Sequence, residues 1–258
     1  MTTEIIGERR KAEFRQILGV QFFVGGAQRA IDLVRNGGLL VVPAAPALKN
    51  LPGDRAYREA LLGADVAIAD SALMVMIWNF LQKDQIPRLS GLNYLRELLT
   101  RSDVWKSGRS FWIMANAASA ATNLAWLARQ GIEVHSEDVY VAPIYGKVIE
   151  DEALLRQLRE RRPAHIIVTL GGGTQESLGL YLKRNLAPLP AIHCIGAAIA
   201  FLSGDQVQIP RWADRWYLGW LFRCMSEPKR YVPRYWAARK LIGLMVRYRD
   251  ALPVTGAK

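Results

Sequence analysis

Apolar runs of four to six residues alternate with helical patterns along most of the chain. The runs predict strands at Leu39–Val42, Asp65–Ala69, Ser110–Ala115, Val139–Ala142, His165–Leu170 and Ala191–Ile195. Between them, apolar residues at helical spacing predict helices at Ala27–Arg35, Asp54–Leu62, Ser71–Leu81, Asn93–Leu99, Ala118–Gln130, Glu150–Arg161 and Thr174–Asn185. This alternation predicts an α/β fold in which helices cover both faces of a mostly parallel sheet. Functional side chains are then expected where the carboxyl ends of strands lead into helices.

The pattern changes after Gly204, where strand-like runs stop and tryptophan and arginine become frequent. Trp212, Trp216 and Trp220 recur at every fourth position, which places them on one face of a helix. Pro210 is suited to the start of that helix.

The end of the chain predicts further helical structure. Pro228 and Pro233 are expected to interrupt the first helix, and Arg234–Arg249 reads as a second, amphipathic helix. The sequence therefore predicts two parts, an α/β domain, residues 1–204, and a basic helical appendage, residues 205–258.

Charge is concentrated in this appendage. The chain has a net charge of +11, and the residues after position 210 include eleven basic and three acidic side chains, a net charge of +8. An anionic membrane surface, an anionic head group or nucleic acid would suit such a segment. No helix-turn-helix, RNA-recognition or zinc-finger motif is present, which disfavours nucleic acid.

The sequence gives no sign of a metal, a disulfide or a membrane span. Cys194 and Cys224 are not paired in the sequence, and His135, His165 and His193 stand apart from one another. The amino terminus has no signal-peptide pattern, and no apolar run reaches the roughly 18 residues that span a bilayer. A soluble or membrane-peripheral protein of the reducing cytoplasm is expected.

A carboxylate follows one of the predicted strands. Asp65–Ala69 leads into Asp70 and Ser71, and a helix begins at once. Asp70 thus lies where such sheets present catalytic groups. Alternatively, Asp70 or Ser71 only caps the helix by accepting hydrogen bonds from its free N–H groups.

Two other loops could bind phosphate. Arg88 precedes a predicted helix, and its planar guanidinium suits phosphate oxygens, although a solvated surface arginine is the plain alternative. Gly171 and Gly172 begin a glycine turn between a strand and a helix, where backbone N–H groups can approach an anion. This turn lacks the Gly-Lys-Ser/Thr ending of a P-loop, and a purely structural tight turn is an equal alternative.

The tryptophans of the appendage suggest a surface for lipid. Trp212, Trp216 and Trp220 combine with arginines in a way that suits a membrane–water interface with anionic head groups. The alternative is a terminal helix that packs its tryptophans on the core.

Taken in order and spacing, these stretches resemble the WecG/TagA/CpsF family, glycosyltransferase family 26, over about residues 38–236. The matching stretches are Ala64-Asp65 with Asp70, Arg88-Leu-Ser-Gly91, Leu170-Gly-Gly-Gly-Thr-Gln175-Glu176, Gly196 to Gly204, Ile209-Pro-Arg-Trp212, Gly219-Trp220-Leu-Phe-Arg223, Ser226-Glu-Pro-Lys-Arg230 and Arg234-Tyr235. The part of the resemblance in the appendage is the most specific.

The resemblance implies a Rossmann-like α/β domain with a C-terminal appendage. It implies inverting transfer of a hexose-type sugar from a UDP-sugar to a polyprenyl-diphosphate-linked sugar, without a metal or other cofactor, at the inner face of the cytoplasmic membrane. Asp70 falls on the proposed catalytic base, and Arg88 and Gln175 fall on active-site positions. The diphosphate is expected to contact three arginines of the appendage, namely Arg223, Arg230 and Arg234.

Several family positions are altered in this chain. Where the family has a polar segment after the second strand, this chain has Val41–Pro46, which includes Ala44 and Ala45 and has no polar side chain. Ala200 replaces an aspartate. The remaining changes are Ser71 for glycine, Asn93 for aspartate, Gly173-Thr174 for Pro-Lys and Ile199 for phenylalanine. A different donor sugar, or altered catalysis, would follow from the loss of these polar groups.

The sequence therefore favours a glycosyltransferase of envelope-glycan assembly. The alternative is a non-catalytic family member that binds a nucleotide-sugar or lipid-linked sugar as a partner in polysaccharide assembly. A dinucleotide-dependent oxidoreductase is disfavoured because the first strand–helix turn lacks the glycine fingerprint. A homo-oligomer is compatible with the sequence.

Overall fold

An eight-stranded sheet forms the centre of the molecule. The computed structural model describes residues 13–106 and 108–256. The strands of these residues are β1 Phe14–Ile17, β2 Val20–Phe23, β3 Gly38–Val41, β4 Val66–Ile68, β5 Ser110–Met114, β6 Val139–Val141, β7 His165–Val168 and β8 Ala191–Cys194. Their order is β1-β2-β4-β3-β8-β7-β5-β6, and every pair is parallel except the β1–β2 hairpin.

Helices cover both faces of this sheet. Before the appendage they are α1 Ala27–Val34, α2 Ala45–Leu48, α3 Arg55–Leu62, α4 Ala72–Gln82, α5 Gly91–Leu98, α6 Ser102–Trp105, α7 Ala117–Arg129, α8 Glu152–Arg161, α9 Thr174–Asn185 and α10 Ala200–Ser203. One face packs against α1, α5 and α7, and the other against α3, α4, α8 and α9. The α/β fold with a mostly parallel sheet is confirmed.

The central strands are mostly apolar because they are covered on both sides; the exceptions are His165 in β7 and His193 in β8. Every residue of β3, β7 and β8 is buried. Gly179 of α9 shows how closely the layers approach. A Cβ atom added there would lie 2.6 Å from Cys194 Sγ and 2.6 Å from Leu39 Cδ1.

The sequence analysis did not predict the β1–β2 hairpin. Leu18 and Gly19 form its two-residue turn, and both have positive φ, 51° and 77°. A short turn of this kind with glycine between two apolar runs is the signal that could have revealed it. The backbone N–H groups of Leu18 and Gly19 donate to the carbonyls of Arg249 and Asp250, which ties the hairpin to the end of the appendage.

The helix predicted to carry the three tryptophans is broken in the structure. It divides into α11 Arg211–Arg215 and α12 Gly219–Ser226. Tyr217, between them, has a φ of 62°, a left-handed conformation that an α-helix does not contain. The expectation of one continuous helix across Trp212, Trp216 and Trp220 is therefore wrong.

Of the two prolines that follow, Pro228 interrupts the helical structure as predicted, because α12 ends at Ser226, whereas Pro233 does not. Pro228 begins α13, Pro228–Ala238, where its missing N–H is not needed, and Pro233 lies inside this helix. The predicted helix Arg234–Arg249 divides at Arg239, and α14 comprises Lys240–Tyr248. α14 buries Leu241 and Met245 in the core next to α4, so tertiary packing stabilises the end of the appendage.

Two histidines that are distant in sequence are in contact inside the protein. The ring of His193 stacks on that of His165, with His165 Nδ1 and His193 Nε2 3.1 Å apart. His193 Nδ1 lies 2.8 Å from the hydroxyl of Tyr94. The histidines are therefore not isolated, because β7 and β8 are neighbours and present both rings on one face.

Among the helices of the described residues, none combines the length and the apolar character that crossing a bilayer requires.

The buried histidines predict a stability that depends on pH. Burial lowers the pKa of His165 to about 4 and also lowers the pKa of His193. In the unfolded chain both titrate near ~6.5. Between these values the unfolded state binds more protons, so the free energy of unfolding decreases as the pH falls, by up to about 1.4 kcal/mol per pH unit for each histidine.

Urea denaturation at neutral pH and near pH ~5 measures this effect. The double variant His165→Gln/His193→Gln is the control, because carboxylates contribute equally in both proteins. A smaller loss of stability at acid pH is expected in the double variant, and equal losses would contradict the assignment.

Candidate active site

A cleft of about 760 Å³ opens where the carboxyl ends of β3, β4, β7 and β8 meet the appendage. Its floor is formed by the turns that follow these strands, and its opposite wall by residues of α11, α12 and α13. This is the edge of a parallel sheet at which ligands bind. Asp70, Arg88 and Gln175 all line this cleft.

Asp70 follows β4 and does not cap the helix that comes next, α4. Ser71 caps α4, since its Oγ accepts a hydrogen bond from the N–H of Met74 at 3.2 Å. Asp70 Oδ1 instead accepts from the N–H of Gly91, at the start of α5, at 3.0 Å. The backbone of α5 thus holds one carboxylate oxygen of Asp70 at the edge of the cleft.

Arg88 is held between two aspartates and is only 14% exposed at its side chain, so it is not a solvated surface residue. Its Nε donates to the carbonyl of Asp70 at 2.6 Å, and Nη2 lies 3.4 Å from Asp70 Oδ1. Nη1 donates to the carbonyl and to Oδ1 of Asp214, in each case at 2.9 Å. The guanidinium that was expected to bind phosphate is thus engaged mainly by protein carboxyl and carbonyl groups.

Gln175 connects two of the turns that form the floor of the cleft. Its Oε1 accepts from the N–H of Gly196 at 2.6 Å, and its Nε2 donates to Glu176 Oε1 at 3.2 Å. The turn after β7 is in this way fixed to the turn after β8. Gln175 is buried, so its side chain supports the two turns in addition to lining the cleft.

Glu176 is a buried carboxyl group that the sequence analysis did not single out. Its Oε2 accepts from the N–H of Gly173 at 2.6 Å, and burial raises the pKa of this carboxyl to about 7. A glutamate at the third position of a helix, bonded to the cap residue, is half of a capping box, and this spacing could have revealed it. The hydrogen bond between Gly173 and Glu176 fixes the conformation of the glycine turn.

The glycine turn leaves space beside the cleft. Gly171 and Gly172 both line it, and a Cβ atom added at Gly171 would find no other atom within 4 Å. The floor here is therefore backbone that a ligand can approach closely.

The three appendage arginines reach the same cleft. Arg223 Nη1 donates to the hydroxyl of Tyr235 at 3.1 Å, and its guanidinium lies 4.3 Å from the ring centroid of Phe201. Arg223 Nε is buried without a hydrogen-bond partner among the described residues. Arg230 and Arg234 are exposed, and Arg230 makes an ion pair of 3.3 Å with Glu227 at the rim.

Further polar groups line the cleft that the sequence analysis missed. Asn116 caps α7 after β5, and Thr169 follows β7. Asp205 Oδ2 accepts from Ser119 Oγ at 2.8 Å. Asn116 and Thr169 follow strands, the position that the parallel sheet predicts for functional groups, whereas Asp205 follows α10.

The altered family positions lie in different environments. Ala44 and Ala45 line the cleft after β3, where they present methyl groups. Ala200 is buried in α10. The β3 side of the cleft is therefore lined by small apolar side chains.

The tryptophans expected to contact lipid lie on the surface. Trp212, Trp216 and Trp220 are 56%, 71% and 47% exposed, and Trp220 also lines the cleft. Met225 and Trp236 add further exposed apolar side chains to the appendage. These tryptophans are not packed into the core, which was the alternative.

No group of three or more histidine, cysteine, aspartate or glutamate side chains suitable for a metal ion occurs in the described part of the chain.

Comparison with known proteins agrees with this geometry. The chain matches the model of the glycosyl transferase WecG/TagA/CpsF family over residues 15–252. An N-acetylglucosaminyldiphosphoundecaprenol N-acetyl-beta-D-mannosaminyltransferase of Bacillus spizizenii is 25% identical over 212 residues, which cover 79% of each protein. A protein of the same name from Bacillus subtilis is 21% identical over 188 residues, which cover 70% of this chain and 71% of that protein.

The family match covers the sheet, the cleft and the arginines of the appendage, and it confirms the resemblance found in the sequence. The chain belongs to the glycosyl transferase WecG/TagA/CpsF family.

Proposed function

We propose that this chain transfers a hexose-type sugar from a UDP-sugar to a polyprenyl-diphosphate-linked sugar, with inversion at the anomeric carbon. The observation that carries the proposal is the cleft itself, in which Asp70 lies on one wall and Arg223, Arg230 and Arg234 on the other. A carboxylate that accepts a proton and cations that stabilise a leaving diphosphate are the two requirements of such a transfer.

Asp70 has the geometry of a general base. Gly91 and Arg88 contact its Oδ1, whereas its Oδ2 makes no hydrogen bond to any described residue. The free oxygen can accept the proton of the acceptor hydroxyl while the hydroxyl oxygen attacks the anomeric carbon. The bond between that carbon and the UDP oxygen breaks at the same time, and UDP leaves with the electron pair.

The appendage arginines would stabilise the charge on the departing diphosphate. Phosphate oxygens suit the paired N–H groups of guanidinium, and Arg223 Nε offers a buried N–H that has no partner in the described residues. The open backbone at Gly171 and Gly172 provides room for a phosphate beside them. With this many cations in place, transfer without a metal is the form of the reaction that we propose.

The relatives guide the choice of substrates. Their names specify an N-acetylmannosamine residue as the transferred sugar and N-acetylglucosaminyl-diphospho-undecaprenol as the acceptor. We propose an acceptor of the same class, a sugar on a polyprenyl diphosphate, for this chain. The methyl groups of Ala44 and Ala45 point to a donor sugar with different polar substituents.

A lipid-linked acceptor requires access to a bilayer. We propose that the appendage lies peripherally on the inner face of the cytoplasmic membrane, with Trp212, Trp216 and Trp220 at the head-group level. Their exposure and the net positive charge of the appendage support this placement.

A second candidate is a family member that binds a nucleotide-sugar or lipid-linked sugar without transferring it. The loss of polar side chains at Ala44 and Ala45 favours this alternative. Binding without product formation across a broad panel of donors and acceptors would support it.

Replacement of the base should separate catalysis from binding. In Asp70→Asn we expect transfer to fall about 100- to 10,000-fold because the amide cannot accept the hydroxyl proton, while UDP affinity changes less than about twofold. Mass spectrometry of reactions with UDP-sugars and short polyprenyl-diphosphate sugars measures transfer, and calorimetry measures UDP binding. Asp32→Asn, at an exposed ion pair with Arg101, is the matched control. Undiminished turnover in Asp70→Asn would refute the role of this carboxylate.

The exposed tryptophans should contribute to binding of anionic membranes. Trp216→Ala is expected to reduce the fraction bound to vesicles that contain phosphatidylglycerol by about three- to tenfold, since the indole is lost from the interface. Trp105→Ala is the control, because Trp105 is 40% exposed on α6 of the α/β domain. Co-sedimentation at low and high salt gives the measurement. Equal binding by the two variants would show that the appendage does not contact lipid through Trp216.

A further inference from the structure

Arg88 joins the proposed base to the appendage. It is the only described side chain that makes ion pairs with both Asp70 and Asp214. Asp70 follows β4 in the sheet domain, whereas Asp214 lies in α11, the first helix of the appendage. In the sequence, Asp214 is 124 residues from Ser90 and 126 residues from Arg88, whereas Asp70 is 18 residues from Arg88. The contact of Arg88 with the appendage is therefore long-range.

All three oxygen atoms of Asp214 accept hydrogen bonds. Its carbonyl and Oδ1 accept from Arg88 Nη1, and its Oδ2 accepts from Ser90 Oγ at 2.6 Å. Its side chain is only 12% exposed. Ser90 is itself held, since its Oγ caps α5 by accepting from the N–H of Asn93 at 3.0 Å. A buried carboxylate with this many partners is a built contact and not a surface pair.

The distances show that the Arg88 guanidinium contacts Asp214 more closely than Asp70. Its Nη1 contacts Asp214 Oδ1 at 2.9 Å, whereas its Nη2 is 3.4 Å from Asp70 Oδ1. One guanidinium between two carboxylates leaves one negative charge in excess. Arg88 thus orients Asp70 through Oδ1 alone, without forming a bidentate ion pair with its carboxylate.

We propose that Asp214 is a positioning residue for the transfer reaction, which acts on Asp70 through Arg88. This rests on the proposed function. By holding Nη1, Asp214 prevents the guanidinium from turning to pair fully with Asp70. A carboxylate paired at both oxygens is a weaker proton acceptor and turns its free oxygen away from the acceptor hydroxyl.

The contact also makes the base depend on the appendage. When α11 is seated on the sheet domain, Asp214 lies on Arg88 and Asp70 keeps one oxygen free. When α11 is displaced, Arg88 loses the partner of Nη1 and the arrangement at Asp70 changes with it. Asp214 of α11 thus holds the same guanidinium that contacts Asp70.

The test is the kinetics of Asp214→Asn with the donor and acceptor that the unchanged chain uses. We expect kcat to fall about 10- to 100-fold, with the KM of the UDP-sugar within about twofold, since the reacting geometry changes and the diphosphate contacts do not. Asp250→Asn is the matched control: it removes the same charge from an exposed position of the appendage, outside the cleft.

A double-variant comparison distinguishes positioning from general loss of structure. In Asp70→Asn the base is already absent, so adding Asp214→Asn should reduce the residual rate no further. A structural defect would instead lower the rates by the same factor in both backgrounds. Ser90→Ala gives a milder variant, which keeps the ion pair of Arg88 and Asp214 but removes the hydrogen bond to Asp214 Oδ2 together with the side-chain cap of α5; about a threefold fall in kcat is expected.

Each outcome bears on the inference. An unchanged kcat in Asp214→Asn, or additive effects in the Asp70→Asn background, would overturn the role of Asp214 and leave the proposed function standing. Absence of transfer by the unchanged chain with every substrate offered would overturn both. A selective fall in kcat that disappears in the Asp70→Asn background supports the positioning role.

Discussion

The sharing of Arg88 between Asp70 and Asp214 is the contact on which the site depends. It joins the turn after β4, the start of α5 and the first helix of the appendage at one buried point. Hydrogen bonds between charged groups are strong where water is scarce, and each carboxylate would be costly to bury without its partner. The two parts of the chain are therefore held together at the position where chemistry is proposed.

The remaining parts of the cleft are arranged around this contact by backbone. Gln175 and Glu176 fix the glycine turn after β7, and the N–H of Gly196, in the turn after β8, donates to Oε1 of Gln175. These buried hydrogen bonds fix the floor of the cleft. The exposed guanidinium groups of Arg230 and Arg234 lie on the opposite wall, where they are accessible to a diphosphate.

The sequence predicted much of the fold because the strands carry continuous apolar runs. Leu39–Val42 is apolar along both faces and His165–Leu170 is mostly apolar, as a covered parallel sheet requires. The β1–β2 hairpin was missed because it is short and rests on a two-residue turn. The break at Tyr217 was missed because Trp212, Trp216 and Trp220 have a helical period, and periodicity does not record a single left-handed residue.

For the site, the sequence identified the side chains but not their contacts. Asp70, Arg88 and Gln175 lie together as expected, since strand ends meet at one edge of the sheet. The partners of Arg88 could not be predicted from local sequence, because Asp214 is more than a hundred residues away and sits in a segment read as a membrane surface. For the same reason the pairing of His165 with His193 required knowledge of which strands are neighbours.

The left-handed backbone at Tyr217 has a consequence for the electric field at the site. By ending α11, it brings the aromatic ring to within 5.5 Å of the Arg88 guanidinium carbon, where it lies against the cation. An apolar roof of this kind lowers the local dielectric constant, so the attraction of Arg88 for its two carboxylates is less weakened by solvent and by dissolved salt. A single strained residue in the appendage thereby insulates the charges on which the base depends.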